Sequence, residues 1–174
     1  MTTAAQPTVA RTRRIDVPEA IRSREDLTGS DYASAFALAV PADSRVLTPE
    51  QWARATFEGA PAPLLRLLPA AWGLGPGLRL GPRPSPGHVL GWSPADSDAH
   101  TATITARSGL ITAHNGVAVR DDEVVRVTLV RFERRVARPL WAAAAPIHHL
   151  TVPYLLARAA RSSAVQSSAS PASA

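Results

Sequence analysis

Between Asp31 and Val40 bulky and small residues alternate, with Tyr32, Phe36, Leu38 and Val40 set against Ala33, Ala35, Ala37 and Ala39. A period of two predicts a strand with one large-residue face and one alanine face. The alanine face permits close packing or leaves a hollow. Thr48-Pro49-Glu50-Gln51 then carries the marks of a helix start: Thr48 as N-cap, Pro49 at the first helical position, and Gln51 placed to close a capping box. That helix is expected to reach about Glu58. Gly59, Pro61 and Pro63 interrupt the chain, and Leu64, Leu67, Leu68, Ala71 and Trp72 form a second amphipathic stripe ending at Gly73.

Gly73 to Gly87 is crowded with glycine and proline and reads as a flap or loop, with a short strand at Leu78 to Leu80. Period-two runs return afterwards. Strands are predicted at His88 to Trp92, Thr101 to Arg107, Leu110 to Arg120 and Val124 to Arg134, with turns at Pro94-Ala95-Asp96, Ser108-Gly109 and Asp121-Asp122. Asn115-Gly116 is a strong hairpin signal. A turn there would leave Val117 to Arg120 very short, so a glycine bulge within one long strand is the expectation.

The last apolar segment, Arg138 to Arg161, changes period again. Trp141, Ala145, His148, Val152, Leu155 and Ala159 recur at spacings of four and three, which puts them on one stripe of a long helix. Pro146 and Pro153 lie inside it, seven residues apart, and each removes a backbone hydrogen bond. Their bends should fall on nearly the same side and add into a curve. One strand, two short helices, a run of antiparallel strands and a long kinked helix give an α+β domain.

Composition refines this picture at the ends. Residues 1–27 mix Thr, Ala, Pro and Arg without a sustained apolar period and are expected to be a mostly disordered arm; the single domain should span residues 28–161, followed by a disordered Ser- and Ala-rich tail over residues 162–174. All nineteen basic residues are arginine. With the richness in alanine and proline, this reads as the codon bias of a GC-rich bacterial genome, so the pI near 11.1 reflects arginine that stays charged where lysine would titrate. The formal net charge is only +5. The absence of cysteine excludes disulfides and thiolate chemistry. No run approaches a membrane span, and Arg13-Arg14 is followed by Ile15-Asp16-Val17-Pro18 in place of the apolar core of a signal peptide, so a cytoplasmic protein is expected.

The order of elements resembles the helix-grip fold of the polyketide cyclase, lipid-transfer and birch-pollen-allergen superfamily, in which a curved antiparallel sheet wraps around the last helix. More narrowly, Asp31-Tyr32 with Phe36, the segment Thr48-Pro49-Glu50-Gln51-Trp52-Ala53-Arg54, and Trp141 with Pro146-Ile147-His148 and Val152 resemble an actinobacterial family of that superfamily, over roughly residues 28–161. The resemblance implies an internal apolar cavity between sheet and helix. It brings no catalytic residues with it.

Within such a cavity His148 lies on the helix stripe. It would be a polar handle for a ligand, a general acid and base with a pKa lowered by burial, or a core histidine donating to a backbone carbonyl. Its neighbour His149 points about 100° away and is expected on the helix surface. Trp92, Trp141, His148 and Tyr154 are the pocket candidates, with His148 and Tyr154 as the pair that would transfer protons. Arg126, set among Val124, Val125, Val127 and Leu129, would be a buried cation calling for a partner or an anionic ligand if its face is concave. His88, His100 and His114 form no spaced ligand motif, so neither a metal nor a cofactor is expected. Gly73, Gly75 and Gly77 follow a helix and lack the lysine of a phosphate loop. Arg11, Arg13 and Arg14, and Arg131, Arg134, Arg135 and Arg138, are interspersed with acids and lack stacking aromatics, which argues against nucleic acid.

Three functions fit these residues. The first is a binding module for a small, largely apolar molecule, lipid or polyketide-like. The second is a cyclase or dehydratase type of enzyme using His148, and the third is a structural protein whose groove accepts another chain. Nothing in the pattern sets an oligomeric state.

Overall fold

A computed structural model describes residues 11–22, 29–40 and 47–169. The parts of the predicted arm and tail at residues 1–10, 23–28 and 170–174 lie outside them. Among the described residues the order is β1 (Thr12–Ile15), α1 (Glu19–Arg22), β2 (Tyr32–Ala39), α2 (Pro49–Glu58), α3 (Ala62–Leu74), β3 (Ser93–Ser97), β4 (Thr101–Arg107), β5 (Ile111–Val119), β6 (Glu123–Phe132) and α4 (Ala137–Ala169). The strands form one curved antiparallel sheet in the order β1-β2-β6-β5-β4-β3, and α4 packs on it in the helix-grip manner.

The local signals explain most of these elements. The capping box closes as the sequence requires: the Gln51 amide donates to Thr48 Oγ1 at 3.2 Å and the Thr48 amide donates to Gln51 Oε1 at 2.8 Å. In α4 the stripe of Trp141, Ala145, His148, Val152, Leu155 and Ala159 faces the sheet, with Val152, Leu155 and Ala159 buried. The helix continues through Pro146 and Pro153. Thr151 Oγ1, donating to the Ile147 carbonyl at 2.8 Å, adds a side-chain bond between the two prolines.

Four expectations are corrected. Part of the predicted disordered arm is folded: β1 pairs with β2, Thr12 opposite Leu38 and Ile15 opposite Ala35, which satisfies its backbone on one side. Behind it Val17 and Ile21 bury against Ala35, Ala37, Ala118, Val125 and Val127. Two apolar residues four apart are too short a period to read as an element, and the partner surface that orders them comes from distant strands. The alanine face of β2 is therefore closely packed. At the other end α4 runs past Ser162 to Ala169, and Ser163 is buried, its hydroxyl donating to the Ala159 carbonyl; alanine favours helix wherever tertiary contact supports it.

The predicted strand at His88 to Trp92 is instead a turn closed by the Val89–Trp92 pair, with Leu90 and Gly91 at positive φ. The strand lies one step later, on the segment read as the Pro94-Ala95-Asp96 turn. It is an exposed edge strand with a register shift between Pro94 and Asp96, the setting in which proline is tolerated. Finally, Asn115-Gly116 is neither turn nor bulge, because β5 keeps an unbroken register with both neighbours. The Ile21 side chain lies over Gly116 on the back of the sheet.

Gly73 and Leu74 close α3, and the segment from Gly75 to Gly87 lacks regular structure, as its composition predicts. Its predicted strand reduces to an Arg79–Arg107 bridge beside the buried Leu78.

Replacing Ile21, 1% exposed, by alanine should cost about 2–4 kcal/mol in urea unfolding. An arm that merely trails from the domain would lose less than about 0.5 kcal/mol.

Candidate functional site

Strand register places the site. On the face toward α4, the antiparallel pairings align Tyr32, Val130 and Ala113 in one row across the sheet, and Ser34, Thr128 and Asn115 in the next. A third row holds Phe36, Arg126 and Val117. A polar band thus crosses an otherwise apolar floor. It is partly self-satisfied, since Thr128 Oγ1 donates to Asn115 Oδ1 at 2.9 Å. Above it stands His148, whose Nε2 lies 3.4 Å from Ser34 Oγ.

Between this floor and the helices is a cavity of about 210 Å³. Asn115 and Thr128 belong to its floor, Phe57, Trp72 and Trp92 form an aromatic wall, and Trp141, His148 and Val152 descend from α4. The wall is tightly made: Trp72 meets Phe57 and Trp92 edge to face, with centroids 5.5 and 5.3 Å away. Gly75 and Pro76, just beyond α3, and Leu140, Ala144 and Ile147 on the outer turns of α4 also line it. Leu74 and Ile147 are exposed, which marks this side as the mouth.

Arg126 lies next to the cavity without lining it. It is 1% exposed, its guanidinium carbon sits 4.4 Å from the Phe57 ring centroid, and none of its side-chain nitrogens has a hydrogen-bond partner. A desolvated cation–π contact returns about 2 kcal/mol, whereas removing an ion from water costs several kcal/mol. The ring alone does not offset burial. Desolvation accordingly pulls the guanidinium down to about 9.

His148 responds to the same surroundings. Burial first, then His149 and Arg126, lower it to about 4, so it is neutral at neutral pH. Tyr32 Oη and His149 Nε2 are 2.6 Å apart, a short hydrogen bond beside the Trp141 ring. Burial raises the Tyr32 phenol and lowers the His149 imidazole. The arm contributes here too, because the charge of Arg14 acts on both groups.

Of the residues singled out in the sequence, Trp92, Trp141 and His148 come together on the cavity. Tyr154 does not: it is 44% exposed and off the lining. Six positions after His148 it has turned about 240° around the helix, away from the sheet. The tyrosine that does join the histidines is Tyr32, and His149, expected on the surface, is its partner. Ser34 shares the strand parity of Tyr32 and Phe36, which is the signal that would have found it. Phe57, Asn115 and Thr128 required knowledge of the strand pairing.

No protein-family model, curated protein or solved structure matches this chain. Among the described residues, no three His, Cys, Asp or Glu side chains converge as metal ligands, and no helix is long and apolar enough to cross a membrane.

The lowered His148 makes stability depend on pH with a defined sign. Between its ordinary value of 6.5 and about 4 the unfolded chain binds a proton there and the folded chain does not, so stability falls as pH falls through this window. The loss should total at most about 3 kcal/mol. Urea midpoints at pH 7 and pH 5 should therefore fall further apart for the native protein than for His148→Gln; equal differences would show that His148 is not held neutral.

Proposed function

We propose that this protein binds a small, largely apolar molecule between its sheet and its C-terminal helix. The cavity of about 210 Å³ with its aromatic wall carries this reading. The resemblance of the Tyr32, Trp52 and Trp141 segments to the helix-grip superfamily agrees with it. Size narrows the occupant. An apolar cavity of about 150 Å³ admits benzene, so about 210 Å³ suits one substituted ring or a short chain, and a two-chain lipid would leave most of its length outside. Trp92, Trp141 and Phe57 supply contact area, while neutral His148 and the Asn115–Thr128 pair offer orientation.

A second reading, a cyclase or dehydratase type of catalyst, is favoured by one observation, the two histidines with Tyr32 and Ser34 at the cavity's edge. In that reading His148, neutral and therefore able to accept a proton, is the base. Tyr32, hydrogen-bonded to His149, would return one.

Native against denaturing mass spectrometry of the purified protein tests the first reading, with a small bound mass expected that disappears on unfolding. Ala144→Trp, at an exposed position on the mouth, should abolish ligand uptake while changing stability by less than about 0.5 kcal/mol. Uptake unaffected by that block would sink the pocket reading. His148→Gln separates carrier from catalyst: turnover lost with affinity retained supports catalysis, and affinity lost alone supports a carrier.

A further inference from the structure

The hydrogen-bonding groups around the cavity are unbalanced. Trp92 Nε1 and Trp141 Nε1, on two residues of the lining, are buried donors without acceptors. Nε, Nη1 and Nη2 of Arg126, behind Phe57 and beside His148, are donors without acceptors as well. None of these groups can act as an acceptor. The obvious internal acceptors are committed elsewhere. Asn115 Oδ1 receives Thr128, and the carboxylate of Glu123, the one buried acid among the described residues, takes Arg13 at 2.6 Å and Arg120 at 2.9 Å. Trp52 Nε1 is also unpaired, but Trp52 packs in a separate cluster with Leu38 and Leu156 and is off the lining.

A cavity with unpaired donors on its lining and an unpaired buried cation beside it selects for what it lacks, an acceptor that carries negative charge. We infer that the ligand is an acid: a carboxylate on an apolar body of about one ring, its charged end toward the Asn115–Thr128 floor nearest Arg126 and its body against Trp92 and Trp141. This rests on the cavity being a ligand site. Arg126 and Thr128 are two residues apart on one face of β6, so a carboxylate on Thr128 lies roughly one side-chain row, about 6–7 Å, from the Arg126 backbone. That is within reach of the guanidinium. Charge-assisted hydrogen bonds are about twice as strong as neutral ones, and a dry site strengthens them further. A neutral ketone or amide would satisfy an indole but leave the cation unpaired.

The test compares phenylacetate, 3-phenylpropionate, 4-phenylbutyrate and octanoate with their primary amides, by calorimetric titration of the full-length protein at pH 7. At least one acid should bind roughly tenfold or more tightly than its amide. In Arg126→Met the two should bind within about twofold of each other. Arg126→Met removes a buried charge whose desolvation nothing in the chain offsets, and Arg126→Lys, whose ammonium a bound acid would hold charged, should keep part of the preference. Acids and amides binding equally to the native protein would overturn the inference and leave the pocket reading standing. Copurification of a neutral molecule would overturn it in the same way. Binding of neither series, with no bound mass in native spectra, would overturn both.

Discussion

A six-stranded twisted sheet presents more inner surface than one helix can cover, and the arrangement of this molecule follows from how that surface is shared. The long helix α4 lies over β1, β2 and β6, while α2 lies over β4 and β5. The two helices meet, but side chains do not fill the whole space beneath them. Phe57 from α2, Trp72 from α3 and Trp141 from α4 lean across the gap from three directions. What they leave open is the cavity, so it arises from the division of the sheet between helices, and Gly75, Pro76 and Trp92 from the connecting segments wall it in.

The same geometry explains why polar residues are concentrated there. Under closely packed helix, a buried hydroxyl, amide or guanidinium would oppose hydrocarbon and cost stability without return. Here Asn115 and Thr128 line the cavity, and Ser34 and Arg126 stand beside them. Ser34, Asn115 and Thr128 form one row, and Arg126 stands in the next. Val124 and Leu38, further along the same face, return to apolar packing against Trp52 and Leu156. Polarity on this face is thus confined to two adjacent rows at and beside the cavity.

Elements whose signal is local were legible in the sequence. Thr48 and Gln51 define a helix start by themselves, the spacing from Trp141 to Ala159 defines a helix face, and the alternation through β4, β5 and β6 defines strands. Elements made by a partner were not. Thr12–Ile15 is ordered by the edge of β2, and Ser93–Ser97 by the edge of β4; Ile15 is the one large apolar residue that packs inward from either strand, too little to imprint a period. The site divides in the same way. His148, Trp141 and Trp92 announce themselves by helix phase or aromatic character. The row Ser34, Thr128 and Asn115 joins three strands far apart in the chain, and only their register brings it into being. Tyr154 and Tyr32 make the contrast sharpest: proximity in sequence favoured the first, and an antiparallel sheet delivered the second to His149.

The edge strands carry one more consequence. A sheet with free edges can recruit further strands, and an exposed hydrophobic edge is an aggregation site. At one end of this sheet β3 is a five-residue strand of Ser, Pro, Ala, Asp and Ser, fully exposed, with a register shift after its proline. At the other, β1 is four residues long and carries Arg13 and Arg14. Both edges are short, and both hold residues that resist continuation of the ladder, a missing amide on one side and repelling cations on the other. The poorly patterned segments that hide these strands from sequence reading are therefore what keeps an Ala- and Val-rich sheet from growing into its neighbours.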